Sequence, residues 1–284
     1  MNERRNACLI VEGGGFKTAF TSGVLDAFLS QNFNNFNGYL GVSGGAIAVS
    51  YFLSEQFRFC FNAIELLAVD QHFMKFKRTF GNEGMMDIDY LEKVAKEKVP
   101  FDIDKALENI QDKMVAFVAT NRKYGNPEYL NPDKKNWINS VIASSTLPFV
   151  TKGKHKFGGK AYFDGGWSDP LPVIWATEEG FNDITVIRTS PQEIKTSQSW
   201  TDYFGSIYFS KRPELSKVFT TCYDNYNQAV DFMKKPPKGI IINQIAPDQV
   251  LKSGTYSYSD KTIIDDYRYG LDLGINYIMD RNKK

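Results

Sequence analysis

Near the start of the chain, two short apolar runs each stop abruptly at small residues, and a helical pattern follows each one. Residues 8–11 end at Gly13, Gly14 and Gly15, after which Phe20, Val24, Leu25, Phe28 and Leu29 recur at the spacing of one apolar helix face. The polar, asparagine-rich residues 32–37 close that helix. Residues 39–42 repeat the arrangement, stopping at Ser43, Gly44 and Gly45, and small and apolar residues from 46 to 56 form a second helix. Successive strands joined by helical crossovers lie parallel, so these first 56 residues predict an α/β fold, a mainly parallel central sheet flanked by helices.

Further strands are expected at residues 114–120, 184–189 and 239–243. Helices are expected near 90–98, 134–145, 202–233 (with a break at Pro213) and 262–279. There is no internal repeat, and the Lys-Lys-Pro-Pro-Lys segment at 234–238 is too short to link two domains. One domain over residues 1–284 is the expected organisation, with core motifs in about 7–190 and a helical and strand extension over about 191–284.

Thirty-four basic against 33 acidic residues leave a net charge of +1, which removes any global electrostatic case for nucleic acid. Cys8, Cys60 and Cys222 are odd in number and far apart, so they read as buried, reduced thiols and not as a disulfide framework or a zinc site. No segment resembles a signal peptide or a bilayer span, so a cytoplasmic protein able to touch a membrane from one side is expected. No metal or other cofactor is implied.

Three elements carry chemistry. Gly41-Val42-Ser43-Gly44-Gly45 has the form of a nucleophile elbow, in which a serine on a sharp strand-to-helix turn presents its hydroxyl clear of the sheet. Gly41 and Gly45 are small where the turn brings its two arms together, and the following helix aims its first amides at developing negative charge. The loop of Gly13, Gly14 and Gly15 leaves amides free to hold a tetrahedral oxyanion. As a dinucleotide-binding turn it fails, because the spacing would need glycine where Thr18 stands.

A serine nucleophile also needs a base. His72 lies in a helix-like or inserted neighbourhood, and His155 sits among lysines in what reads as an exposed hairpin; neither fits the role well. Asp164 ends an apolar run and is followed by Gly165 and Gly166, so its carboxyl can approach a serine closely, and partial burial would raise its proton affinity. An ordinary turn aspartate before glycine is the competing reading.

Taken together, the glycine loop with its basic residue, the serine elbow and the downstream Asp164-Gly165-Gly166 resemble the patatin-like phospholipase family over roughly residues 7–190, as does the segment at 143–148. The resemblance implies a three-layer core and lipid acyl hydrolase activity. It also implies a Ser43–Asp164 dyad without histidine, Gly14 and Gly15 as oxyanion donors, and Lys17 in the place of the family's usual arginine. The glycine that normally follows that position is Thr18 here.

A lipid or other acyl ester is the expected substrate. Acyl transfer to an acceptor other than water, and a catalytically silent lipid-binding protein of the same fold, are the alternatives. Phe57, Phe59, Phe61, Leu66, Leu67 and Val69 form either an acyl-binding wall or an ordinary core helix. The aromatic and basic residues 75–80 are a candidate lipid-facing surface.

Overall fold

The computed structural model describes residues 6–69, 86–148, 150–151, 154–255 and 258–283; His72 and the basic-aromatic stretch 75–80 lie outside them. The chain begins with β1 (Ala7–Val11), α1 (Thr18–Ser30), β2 (Gly38–Val42), α2 (Gly44–Leu53) and α3 (Phe59–Val69). After residue 85 come α4 (Tyr90–Lys93), α5 (Ile103–Asn109), β3 (Met114–Asn121), β4 (Pro127–Leu130), α6 (Trp137–Ser144), β5 (His155–Phe157) and β6 (Lys160–Asp164). The remainder is α7 (Val173–Glu178), β7 (Asp183–Ile187), α8 (Trp200–Tyr208), α9 (Pro213–Lys234), β8 (Ile241–Ile245) and α10 (Asp260–Asn282).

The strands form a single eight-stranded sheet in which β3, β2, β1, β7 and β8 run parallel, with β4, β5 and β6 antiparallel at one side. Alternation along β1 divides the core. Leu9 and Val11 face a layer containing α1, α2, α3 and α10, whereas Cys8 and Ile10 face α7 and the end of α9. Both faces of the central strands are therefore covered, which is why they read as continuous apolar runs. All three cysteines are buried and free.

The expected parallel strands are present, with β8 starting two residues later than the sequence pattern placed it. The strand expected to run to residue 189 stops at Ile187, leaving Arg188 and Thr189 outside the ladder. The 202–233 helix is two helices, and Pro213 opens the second, where its missing N–H costs no hydrogen bond. Past α4 the helix widens into a π turn over Val94–Lys98. The apolar segment around residue 60 is the core helix α3, with Cys60, Phe61, Ile64 and Leu67 buried, while Phe57 and Val69 are exposed. His155 corrects an expectation. It does lie in a hairpin, but it is buried, and its Nε2 sits 3.0 Å from Asn139 Oδ1.

The C-terminal elements are built into this frame. Along β7, β8 extends the sheet, and α10 lies against α1, where the buried Asp26 carboxyl accepts hydrogen bonds from the Arg58 amide (3.0 Å) and the Tyr267 hydroxyl (2.9 Å). None of the helices in the described residues is long and apolar enough to cross a membrane.

Candidate active site

The register of β3 explains how two residues 121 positions apart in sequence meet. One edge of β3 is taken by β4 over Phe117–Thr120, so β2, which ends with Val42 opposite Val118, must lie on the other edge. β6 pairs with Ala119–Asn121 while β4 is still present, so it occupies that same second edge, running the opposite way and ending with Asp164 opposite Ala119. Strands β2 and β6 thus approach each other end to end. Ser43 follows the last residue of one, and Asp164 is the last residue of the other.

Ser43 has φ 53° and ψ −126°, a strained conformation for a residue with a side chain and the one a nucleophile elbow demands. Its amide donates to Ser144 Oγ at 2.8 Å. The elbow glycines are needed for closeness. A Cβ on Gly41 would lie 2.6 Å from the Ala46 Cα, and one on Gly45 only 2.2 Å from the Val11 carbonyl oxygen. α2 begins directly after Ser43, so the positive end of its dipole lies at the serine turn.

Asp164 is 3% exposed. Its Oδ1 accepts from the Gly166 amide at 2.8 Å, whereas Oδ2 is buried with no donor in hydrogen-bond geometry among the described residues. Burial pushes the carboxyl up to about 6, and the nearby Ser43 hydroxyl and the Gly166 amide oppose that rise only in part. The Asp164 amide donates to the Thr146 carbonyl at 2.7 Å, so the segment at 144–147 ties down both turns.

One pocket collects Gly13, Gly14, Gly15, Ser43, Asp164 and Gly166 in its lining, together with Glu12, Leu147 and Thr255. Gly165 is buried behind it, where a Cβ would lie 2.1 Å from the Val118 carbonyl oxygen. Lys17 is absent from that lining. Its amide closes a short turn onto the Gly14 carbonyl (3.2 Å), and its charge acts on Glu12. Thr18 starts α1, fully buried against Gly44, and its hydroxyl has no partner among the described residues. Beyond Ser43 an apolar pocket lined by Phe16, Ile47, Ile64, Leu67, Leu91 and Leu147 continues into a second, which shares Ile47, Leu67 and Leu91 and ends at Trp137.

Sequence reasoning missed the support beneath the glycine loop. The Glu12 carboxylate accepts from the Thr189 amide at 2.6 Å, and the Thr189 hydroxyl donates to the Gly13 carbonyl at 2.8 Å. Fully buried Arg188 lies 4.0 Å from Glu12 and donates to the Gln192 carbonyl, Gln244 Oε1 and the Tyr226 hydroxyl. Burial raises the Glu12 carboxyl, and the positive charges of Arg188 and Lys17, with donors at Thr189 and Tyr226, counter it. The available signal was a lone carboxylate ending an otherwise apolar strand. Tyr226, Gln244 and Thr255, and Tyr258 tilted against Phe16 with ring centres 4.2 Å apart, come from the extension over residues 191–284, where the sequence offered no candidate site residue.

A serine at a strained strand-to-helix turn, set against a buried carboxyl and a glycine loop, defines a class of α/β hydrolytic folds, and comparison with known proteins narrows it. The chain belongs to the patatin-like phospholipase family, whose model matches residues 9–176. A second model, described as a domain of unknown function (DUF6363), matches residues 212–282, the stretch that holds Tyr226, Gln244 and Thr255. The uncharacterised Escherichia coli protein YjjU is 30% identical over 268 residues, 92% of this chain and 74% of its own length. Among solved structures, VipD from Legionella pneumophila aligns with a TM-score of 0.48 at 14% identity, over 96% of this chain and 66% of VipD. A chain of the complex of full-length SpcU with full-length ExoU from Pseudomonas aeruginosa aligns with a TM-score of 0.33 at 13% identity, over 80% of this chain and 53% of that one.

Proposed function

We propose that the protein is a serine lipid acyl hydrolase, with Ser43 as nucleophile and Asp164 as its base. The observation that carries this reading is a buried carboxyl, free at one oxygen and raised to about 6, facing a strained serine at the mouth of an apolar pocket. Family membership supplies the substrate class, a lipid acyl ester.

In this scheme Asp164 accepts the Ser43 hydroxyl proton as the oxygen attacks the ester carbonyl, and the proton passes to the departing alcohol. The tetrahedral oxyanion accepts hydrogen bonds from amides of the Gly13–Gly14–Gly15 loop, aided by the N-terminus of α2. Losing one such donor typically costs about 3 kcal/mol of barrier. Water, activated by the same carboxylate, then frees the acid. The acyl chain lies along Ile47, Leu67 and Leu91. Lys17 serves the loop indirectly, through the charge it sets beside Glu12.

Labelling with a fluorophosphonate probe tests the assignment. Wild type should label and hydrolyse medium-chain esters, and Ser43→Ala should do neither. Labelling that survives Ser43→Ala would remove Ser43 as the nucleophile.

A further inference from the structure

Helix α8 inverts the usual arrangement of an amphipathic helix. Trp200, Tyr203, Phe204, Ile207 and Tyr208 recur at the spacing of a core-facing stripe, yet all are exposed, Trp200 by 78% and Phe204 by 62%. The opposite face is already engaged, with Gly205 and Phe209 packed on Phe219 of α9. Five large, exposed apolar side chains on one face exceed the scattered exposure normal for a protein surface.

Beside this stripe lies an excess of positive charge. An open cleft of about 610 Å³ is lined by Arg122, Lys123, Lys160 and Arg212, with exposed Tyr124 and one carboxylate, Glu214. Lys160 is paired with Glu128, but Arg122, Lys123 and Arg212 have no carboxylate partner among the described residues. Arg122, Lys156 and Arg212 crowd Lys154 closely enough to lower its proton affinity. Arg122 and Lys123 follow the end of β3, Lys160 lies at the β5–β6 turn, and Arg212 joins α8 to α9.

The register fixes where this patch stands. β3 runs past the end of β2, and Arg122 is three residues beyond Ala119, the level at which Asp164 sits. At about 3.3 Å per residue, the basic turns stand about 10 Å outward from the dyad, at the same end of the sheet.

We propose that the α8 stripe and the adjoining basic turns form an interfacial surface that seats the protein on an anionic lipid bilayer with the Ser43 end of the sheet towards it. This extends the reading of Ser43 as a lipid hydrolase to the physical state of its substrate. Aromatic side chains that can enter the headgroup layer, edged by unpaired arginine and lysine, match such a surface in both apolarity and charge.

Co-sedimentation with vesicles tests this, using Ser43→Ala protein so that the outcome does not depend on the catalytic assignment. Binding should be strong to phosphatidylcholine vesicles containing phosphatidylglycerol, weak to phosphatidylcholine alone, and reduced by salt. Trp200→Ala with Phe204→Ala should weaken binding at least about ten-fold, and Arg122→Gln with Arg212→Gln should abolish the preference for anionic lipid. Unchanged thermal midpoints would show that both variants fold. Binding that ignores lipid charge, or survives both pairs of substitutions, overturns the proposal. So does a dimer that the aromatic substitutions dissociate in protein that binds no vesicles, which would assign the stripe to a second copy of the chain.

Discussion

Ser43 and Asp164 reach the same pocket by different means of support. The serine turn is held by backbone pressed on backbone: Gly41 against Ala46, Gly45 against the Val11 carbonyl, Gly13 against the Val42 carbonyl. The aspartate turn is held from behind by side chains. Phe163, just before Asp164, packs on Phe209 with ring centres 5.7 Å apart, and Trp167, just after the two glycines, packs on Phe219 at 4.6 Å. The serine turn depends on the absence of atoms throughout; the aspartate turn does so at Gly165 and otherwise leans on large rings from α9 and from Phe209 at the end of α8. The first therefore admits almost no substitution, whereas the ring support of the second should yield by degrees.

Placing a methyl group in the serine turn gives the largest expected effect. Gly45→Ala would push a Cβ into the Val11 carbonyl, and nothing flexible is available to move. A loss of more than about 4 kcal/mol in unfolding free energy is expected, measured by denaturant titration. Insoluble protein would agree with this, and a stable, active variant would break the comparison.

Asp164→Asn separates chemistry from anchoring. Esterase turnover should fall by about 10³-fold if the carboxylate is the base, and in wild type kcat/KM should rise with pH through about 6 and then level off. Stability should move the other way. The folded carboxyl binds its proton more tightly than the unfolded one, so the native state holds more protons between about pH 4 and 6 and loses stability as pH rises through that window. The raised affinity corresponds to about 3 kcal/mol, so Asp164→Asn should melt at a higher temperature than wild type at pH 8 and show a flatter pH dependence. Asp169, also raised to about 6 by burial and bonded to the Tyr129 hydroxyl, is present in both proteins and cancels in the difference. Turnover unchanged in Asp164→Asn would leave the dyad untenable.

The smallest effect is expected from Phe219→Leu, behind the aspartate turn. Partial repacking should limit the loss to about 1 kcal/mol, with labelling of Ser43 by fluorophosphonate kept and turnover reduced only a few-fold. A drop in turnover as large as that of Asp164→Asn would mean the rings do far more than fill space.

This contrast also explains what the sequence made legible. Turns built on close backbone approach require glycine, and glycine clusters after apolar runs are visible without a structure; the serine turn, the glycine loop and the parallel strands before them were found that way. Support built from distant side chains leaves no local trace. Nothing in the neighbourhood of Phe219, Tyr226 or Thr255 signals that these residues stand behind or beside the pocket, because their partners are far away in sequence. Likewise β4 begins with a proline and is half-exposed, and β5 has three residues, so neither carries enough alternation to be read as a strand. His155 misled for a related reason, since the lysines around it in sequence say nothing of the side its ring faces.

The end-to-end meeting of β2 and β6 makes β3 a ruler. Because both strands are registered on the same edge of a third, the gap between Ser43 and Asp164 is counted in backbone hydrogen bonds along β3, not left to side-chain fit. Deleting one residue within β6 would do more than shorten the hairpin. Alternate residues of a strand face opposite sides of the sheet, so a one-step slip would turn the carboxylate away from the serine altogether. Core residues on either face can drift in size while that count is kept; the number of residues between the β5–β6 turn and Asp164 cannot.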